Sequence, residues 1–402
     1  MREGIESLFD EGSFSENVLL AGRGRESVGA EAVITGTGTI AGRPVALMAD
    51  DGTSRGGPRT PEAAEKIIRI QEQALTARVP IVYVLDSSPG PGTDQVHASP
   101  GRRGAGRILH MQVKLSGVVP QVCMLVGPDS AAGAYIPAFC DLVIVDRAQA
   151  SMVDDAWGHL LAVGDEAAVA VAKRYLSYFP SHWEWAAPVA RPAAPASERS
   201  IGQIVPANED QSFDMFELLD SLLDAGSLLE LHARWAPELI VGLGRLNGRA
   251  IGVLANQPTV RDGALLADAA DKGARFVRTC NAFNLPLLFL VDVARLTDPA
   301  GELAHVIRHR ARMIGAVSEA TVPKISVIVR RAYGAGLYAM AGPPLEPDAC
   351  LALPTASTAM GDVPVDALVG PDDLRAELIR RFAASAGKRR EWPAKRNAIS
   401  PV

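Results

Sequence analysis

The chain contains one unit written twice, and that repeat limits what it can fold into. Val118-Val-Pro-Gln-Val-Cys-Met-Leu-Val-Gly-Pro-Asp-Ser-Ala-Ala-Gly-Ala-Tyr135 returns as Val322-Pro-Lys-Ile-Ser-Val-Ile-Val-Arg-Arg-Ala-Tyr-Gly-Ala-Gly-Leu-Tyr338. Both have a Val-Pro step, a β-branched apolar run, and a tight turn of small residues before Tyr. Three more anchors recur at a spacing of 206 residues: Gly38-Thr-Ile-Ala-Gly-Arg43 as Gly244-Arg-Leu-Asn-Gly-Arg249, Val79-Pro80 as Leu285-Pro286, and Val84-Leu-Asp86 as Leu290-Val-Asp292. Pro120/Pro323 and Gly133/Gly336 are spaced by 203, so three residues have been lost between the anchors. Each copy is the size of a domain, which suits a chain of 402 residues. Ala187-Pro-Val-Ala-Arg-Pro-Ala-Ala-Pro-Ala-Ser-Glu198 is Pro/Ala-rich without apolar periodicity and reads as a linker. The expected domains are 1–186 and 201–402, joined by 187–200.

The repeated turn is where the chemistry is expected. A strand that runs through Ser130-Ala-Ala-Gly133 or Tyr333-Gly-Ala-Gly336 into a helix leaves backbone N–H groups without intrahelical partners, at the positive end of the helix dipole. Donors fixed in such a nest act on negative charge that develops during reaction. Two copies would supply two oxyanion holes, with Ala131, Ala132 and Gly133 in the first and Ala335 and Gly336 in the second. The alternative is that small residues let the helix pack close to the sheet. The sequence leaves both readings open.

Composition removes several other classes. A net charge of −6 with a pI near 5.7 argues against a nucleic-acid surface. No apolar run reaches the roughly 18 residues needed to span a bilayer, and the acidic opening Met1-Arg-Glu-Gly-Ile-Glu6 does not resemble a secretory signal. The expectation is a soluble cytoplasmic protein. Cys123, Cys140, Cys280 and Cys350 stand far apart with no Cys-x-x-Cys spacing, which predicts buried thiols and no metal centre.

In chain order, residues 1 to about 30 read as an arm or short helix. Alternating runs on either side of Ala41-Gly42 predict a hairpin. Thr60-Pro-Glu-Ala-Ala-Glu65 is a helix start, with Ile67, Ile70 and Leu75 on its apolar face. Ile81–Asp86 and Asp141–Asp146 read as buried parallel strands, and a helical Ala/Val region runs to about Tyr178. The second half predicts helices at Met215–Leu231, Ala264–Phe283 and Glu302–Glu319, and strands at Glu238–Leu246, Arg249–Asn256 and Leu287–Val293. This order implies an α/β fold of two tandem crotonase-like domains, each a β-β-α spiral. The basic tail Gly387–Arg396 reads as a solvated or partner-contacting end.

The long Gly/Pro-rich segment from Ser87 to Arg107 has the character of a functional loop. Arg102, Arg103 and Arg107 are either phosphate contacts for a nucleotide-like ligand or solvated arginines. Asp86, His159, Asp292 and His309 are candidates for acid–base work or for structural roles. Ser130 lacks a Gly-x-Ser-x-Gly setting and an assignable His partner, so it is not read as a nucleophile.

The pairing of Gly36-Thr-Gly-Thr-Ile40, Ser116-Gly-Val-Val-Pro-Gln121 and Gly127-Pro128 with Asn247-Gly-Arg249, Asn256-Gln-Pro258, Lys272-Gly-Ala-Arg-Phe-Val-Arg278, Ile307-Arg-His309 and Glu319-Ala-Thr-Val-Pro-Lys324 resembles the carboxyltransferase β subunit of biotin-dependent acyl-CoA carboxylases of the propionyl/acetyl-CoA type. The resemblance covers roughly residues 32–146 and 200–360. It implies that acyl-CoA binds on the first domain and carboxybiotin, on its carrier protein, enters from the second. It also implies a hexamer, a trimer of dimers, working with a biotin carboxylase or carrier subunit, whose active sites are shared between one chain's first domain and another chain's second. The protein then stabilises a thioester enolate and the ureido oxygen of biotin. Around these, the expected substrate contacts are Ser87, Ser88, Arg102, Arg103, Arg107, Tyr135, Asn256, Gln257 and Tyr338. Tyr338 stands where the family places the residue that selects acyl-chain length.

The chain departs from the family at the turns themselves. Ala131-Ala132 replaces Gly-Gly, Ala335-Gly336 follows Gly334 where the family has Gly-Gly-Ala, and Ser88-Pro-Gly-Pro91 replaces Gly-Gly-Ala-Arg. Three functions therefore stand: carboxyl transfer between biotin and an acyl thioester, biotin-independent decarboxylation of a malonyl-type thioester, and a non-catalytic subunit of a carboxylase complex.

Overall fold

Each half of the chain builds one mixed sheet that starts from a hairpin. In this computed structural model, residues 2–17, 33–50, 61–85, 102–126, 135–146, 160–162, 164–294, 303–358 and 364–386 are described. The chain divides between Ala186 and Ala187. The first unit runs α1 (Arg2–Leu8), β1 (Ser15–Glu16), β2 (Val33–Ile40), β3 (Arg43–Asp50), α2 (Pro61–Ala77), β4 (Ile81–Leu85), α3 (Ala105–Leu115), β5 (Gln121–Leu125), α4 (Tyr135–Ala138), β6 (Leu142–Asp146), β7 (Leu160–Ala162) and α5 (Gly164–Tyr178). Its strands lie in chain order from β1 to β7; the β1/β2 and β2/β3 pairs are antiparallel and the rest parallel.

The second unit repeats this plan with α6 (Ile201–Ile204), α7 (Met215–Leu222), β8 (Leu229–Leu231), β9 (Leu239–Leu246), β10 (Arg249–Asn256), α8 (Ala267–Ala282), β11 (Leu287–Val293), α9 (Leu303–Glu319), β12 (Lys324–Ala332), α10 (Ala335–Ala339), β13 (Ala349–Ala352), β14 (Ser357–Thr358), β15 (Ala367–Leu368) and α11 (Leu374–Ser385). The sheet order is β15-β13-β12-β11-β10-β9-β8, with β14 beside β12. Strands from β10 to β15 are parallel, and β11, β12 and β13 are buried along their whole length. The successive β-β-α turns are those of two crotonase-like domains.

The duplication extends further than the anchors read from the sequence. Ala41 and Gly42 (φ 50° and 74°), and Asn247 and Gly248 (φ 52° and 78°), make left-handed two-residue turns whose twist suits a hairpin. Each turn is capped by an aspartate from just before the preceding edge strand. The Asp10 carboxylate accepts the N–H groups of Ala41 and Gly42 at 3.0 and 2.8 Å, and that of Asp224 accepts those of Asn247 and Gly248 at 2.9 and 2.7 Å. Three residues later, Ser13 Oγ accepts from Thr39 N, and Ser227 Oγ accepts from Arg245 N. The signal is Asp-x-Gly-Ser in both copies, at 10–13 and 224–227. A Thr39 hydroxyl bond, then the turn's N–H groups, hold the Asp10 carboxyl below its ordinary pKa.

Two sequence expectations need correction. The helix expected at Met215–Leu231 ends at Leu222, and Leu229–Leu231 is an edge strand paired with β9. Asp224 caps the facing turn and Gly226 is left-handed at φ 66°, so the chain reverses there. The stretch 187–200 is a strap along the second unit rather than a free connector. Ala190 N donates to Gly248 O, Ala225 N to Ala194 O and Ser197 N to Asp220 O. The fit is close enough that a Cβ on Gly248 would lie 2.1 Å from Ala190 O.

The Lys272-Gly-Ala-Arg-Phe-Val-Arg278 motif has a packing explanation. Lys272 is buried in α8, and its ammonium donates to the carbonyls of His232, Trp235 and Ala236 at 3.0, 2.8 and 3.3 Å. It staples a loop in which His232 and Ala236 have left-handed φ of 55° and 45°. Burial lowers its pKa to about 8. At Gly273 a Cβ would come within 2.7 Å of Met313. All four cysteines are buried free thiols. Among the described residues no helix is long and apolar enough to cross a membrane.

Candidate active site

In open α/β sheets, ligands bind beyond the carboxyl ends of the parallel strands. In the second unit β11 and β12 are parallel neighbours, so Asp292-Val293 and Tyr333–Gly336 leave the sheet at the same edge. Val291 pairs with Ile328 but Val293 with Ala332, so the extra residues lie on β12, and the bulge there brings Arg330 and Arg331 against Asp292 of β11.

Asp292 is fully buried between two arginines of β12. Its Oδ2 accepts from Arg330 Nη2 at 2.8 Å, and its Oδ1 from Arg331 Nε at 2.9 Å and Arg331 N at 3.0 Å. Arg330, also fully buried, spends Nη1 on the carbonyls of Asn208 and Gln211 and lies 5.0 Å from the Phe213 ring centroid. Burial opposes the Arg331 charge, but Asp292 outweighs it and raises the pKa of the guanidinium.

This knot fixes the turn that follows β12. Gly334 has φ 62° and ψ −150°, a region open essentially to glycine alone. The chain then enters α10, whose first-turn N–H groups at Ala335 and Gly336 have no intrahelical acceptor by helix geometry. Ala335 is exposed and Gly336 buried. A Cβ on Gly336 would stand 2.3 Å from Val293 Cγ1, so this glycine also sets how closely α10 approaches β11. Tyr333, just before the turn, donates its hydroxyl to Glu209 Oε2 at 2.5 Å and lies 3.3 Å from Ser357 Oγ. Ser357 and Tyr333 together hold the Glu209 carboxyl below its ordinary pKa. Tyr338 is exposed beside this turn at 37%.

A second turn joins the same edge. Arg261, Asp262 and Gly263 are successively left-handed, with φ 48°, 55° and 66°. Asn256 Nδ2 holds Gly263 O at 3.0 Å, Asn256 Oδ1 accepts from Asp292 N at 3.2 Å, and Arg331 Nη2 reaches Asp262 O at 2.9 Å. Gln257 is likewise committed, accepting from Met215 N and donating to Asp214. Of these two expected substrate contacts, Asn256 is a buried bracket for the turn and Gln257 is a buried bracket for the start of α7. A buried amide whose hydrogen bonds all go to the protein is the arrangement that polar burial requires.

The expected arginine contacts also divide. Arg103 donates to Glu65 at 2.6 and 3.1 Å and to Glu72 at 3.2 and 3.1 Å, so two carboxylates about two turns apart on the same face of α2 consume its guanidinium and raise its pKa. Arg107 lies 3.7 Å from Glu72, and Arg102 is exposed. Tyr135 opens α4 and is 68% exposed. His309 Nδ1 lies 2.7 Å from Asp271 Oδ2, between helices α8 and α9. Ala131, Ala132, Gly133, Ser87, Ser88, Asp86, Ser130 and His159 lie outside the described residues. The Arg330, Arg331 and Glu209 contributions carry no motif in the sequence; the only signal for the arginines is an adjacent basic pair interrupting an apolar strand.

Known proteins share this architecture. The carboxyl transferase domain model matches residues 1–153 and 147–362. An uncharacterised carboxylase of Bacillus subtilis, YngE, is 42% identical over 98% of this chain and 83% of its own length. The biotin-dependent acetyl-/propionyl-coenzyme A carboxylase beta5 subunit of Mycobacterium tuberculosis is 34% identical over 89% of this chain and 73% of its own. A crystal structure of transcarboxylase 12S, a hexamer with methylmalonyl-coenzyme A and methylmalonic acid bound, superposes with a TM-score of 0.88 at 32% identity, covering 100% of this chain and 92% of that one. The chain belongs to the carboxyl transferase family.

Proposed function

We propose that this protein moves a carboxyl group between biotin and an acyl-CoA, with each unit supplying one set of backbone donors. The observation that carries the reading is the family match, which spans both copies of the repeated unit. The donor role of the second copy is supported by Gly334, whose glycine-only conformation turns the chain so that Ala335 and Gly336 follow with first-turn N–H groups. That donor set suits an oxyanion such as a ureido oxygen. In the first copy, Ala131, Ala132 and Gly133 take the thioester enolate oxygen. Biotin, when bound, supplies the nitrogen that carries the carboxyl group.

The chain's own work is to align the two partners and hold the two oxyanions. A single fixed donor contributes about 10²–10³ in rate in comparable holes. The first unit takes the acyl-CoA and the second receives biotin on its carrier protein, with Tyr338 at the acyl pocket as the chain-length selector. The working form is a cytoplasmic homo-hexamer associated with a biotin carboxylase subunit. The test is loss of methylmalonyl-CoA by the purified chain with and without biotin. Biotin-dependent loss is expected. Equal rates of CO₂ release in both arms would establish decarboxylation instead, and no turnover of any malonyl-type ester would favour a non-catalytic subunit.

A further inference from the structure

Glu238 immediately precedes β9 and is 1% exposed, yet neither carboxylate oxygen accepts a hydrogen bond among the described residues. Lys272 lies within electrostatic range but spends its donors on three carbonyls. Among the described residues the one ion pair of Glu238 is with Arg261, whose Nη1 stands 3.5 Å from Oε1. A carboxylate buried without donors is unfavourable unless a cation compensates it. Here the compensation is a guanidinium with a 65% exposed side chain, placed at the solvent side. At 3.5 Å the contact is one of charge and consumes none of the N–H donors of Arg261 in a hydrogen bond.

The backbone that carries Arg261 is strained and over-determined. Arg261 and Asp262 are left-handed although both have a Cβ, and such residues persist only where their surroundings impose the conformation. Asn256, Arg331 and the close approach of Gly263 to Asp292 O, 2.8 Å from a Cβ built there, impose it. Arg331, held by Asp292, is three residues before the turn at Gly334, so Arg261 belongs to the edge of the sheet that carries the site.

We propose that Arg261 is an oxyanion-recognising residue of the second unit. Glu238 fixes its guanidinium from beneath by charge, and the N–H fork, which makes no hydrogen bond among the described residues, binds a carboxylate or phosphate of the incoming ligand. Which ligand brings that group rests on the carboxyl-transfer reading; the binding of the anion does not.

The test is calorimetric titration of the full chain with methylmalonate, CoA and 3′-dephospho-CoA. The variants are Arg261→Lys, which keeps a charge over Glu238 and loses the planar fork, and Glu238→Gln, which keeps the fork and removes its anchor. Both are expected to fold and to bind the recognised anion about tenfold or more weakly than the wild type. Loss for methylmalonate alone assigns a carboxylate. A wild-type preference for CoA over 3′-dephospho-CoA that disappears in Arg261→Lys assigns the phosphate. The proposal is overturned if Arg261→Lys binds all three probes as the wild type does, or if the wild type binds none; Arg261 would then only cover Glu238. Should the wild type show no biotin-dependent turnover while Arg261→Lys still weakens anion binding, the carboxyl-transfer reading fails and this one stands.

Discussion

Replacing Asp292 with Asn should destabilise the second unit more than any surface change. Asp292 is the shared counter-charge of two arginines, one fully buried and the other 10% exposed at its side chain. Asparagine keeps one acceptor oxygen, removes the negative charge and turns an NH₂ group toward a guanidinium. Breaking a buried pair in this way costs about 3–5 kcal/mol, because the remaining charge has nowhere to be solvated. With a urea slope of about 3 kcal/mol/M, that corresponds to a midpoint lowered by about 1–2 M. Urea unfolding followed by circular dichroism, with the slope checked for constancy, measures it. A shift equivalent to less than about 1 kcal/mol would refute the reasoning, since it would mean that Arg330 and Arg331 reach water when the carboxylate is gone.

Lys272→Met leaves three carbonyls without their donor, at about 1–3 kcal/mol for each group left unsatisfied, and should lower the melting temperature by many degrees. Because burial depresses the Lys272 pKa to about 8 from 10.5, the unfolded chain binds more protons between those values. The stability of the wild type relative to Lys272→Met should therefore rise from pH 8 to pH 10.5, by an amount of order 3 kcal/mol, and stay level below pH 8. A flat difference in urea midpoints across that range would contradict it. Asp224→Ala removes the acceptor for Asn247 N, Gly248 N and Arg375, and should cost about 1–3 kcal/mol in thermal unfolding, against no change if water replaces it. Arg103→Gln should leave the KM for acyl-CoA within about twofold, since Glu65 and Glu72 already occupy the guanidinium; a tenfold rise would return Arg103 to the substrate.

The duplicated hairpin, the crossover helices and the apolar strands could be read because each is a local pattern: a left-handed pair at Ala41-Gly42, a Pro61 helix start, an uninterrupted Ile81–Leu85 run. The aspartate caps leave no local signature, although Asp-x-Gly-Ser occurs twice, because Asp10 and Asp224 act on turns 31 and 23 residues away in sequence. Distance also hid the site. Asp292, Arg330, Asp262 and Glu209 converge only when β11 and β12 are paired and two loops fold over their ends. The Asn256-Gln-Pro258 motif lies at this edge, but its amides are buried and bonded to the protein, which a one-dimensional pattern does not reveal. Gly336 lies in the first turn of α10 and also packs against Val293, so its smallness serves the packing whatever its N–H does. A larger residue there would disturb packing as well as any donor, so it is a poor probe of the turn.

The most direct measurement follows the carboxyl carbon itself. Methylmalonyl-CoA labelled with ¹³C in its free carboxyl is incubated with the purified chain and biotin, and the products are separated at once for mass spectrometry. The account predicts label on biotin in amount equal to the propionyl-CoA formed, with none when biotin is left out. Propionyl-CoA formed at the same rate without biotin, its label recovered only as CO₂, would contradict it.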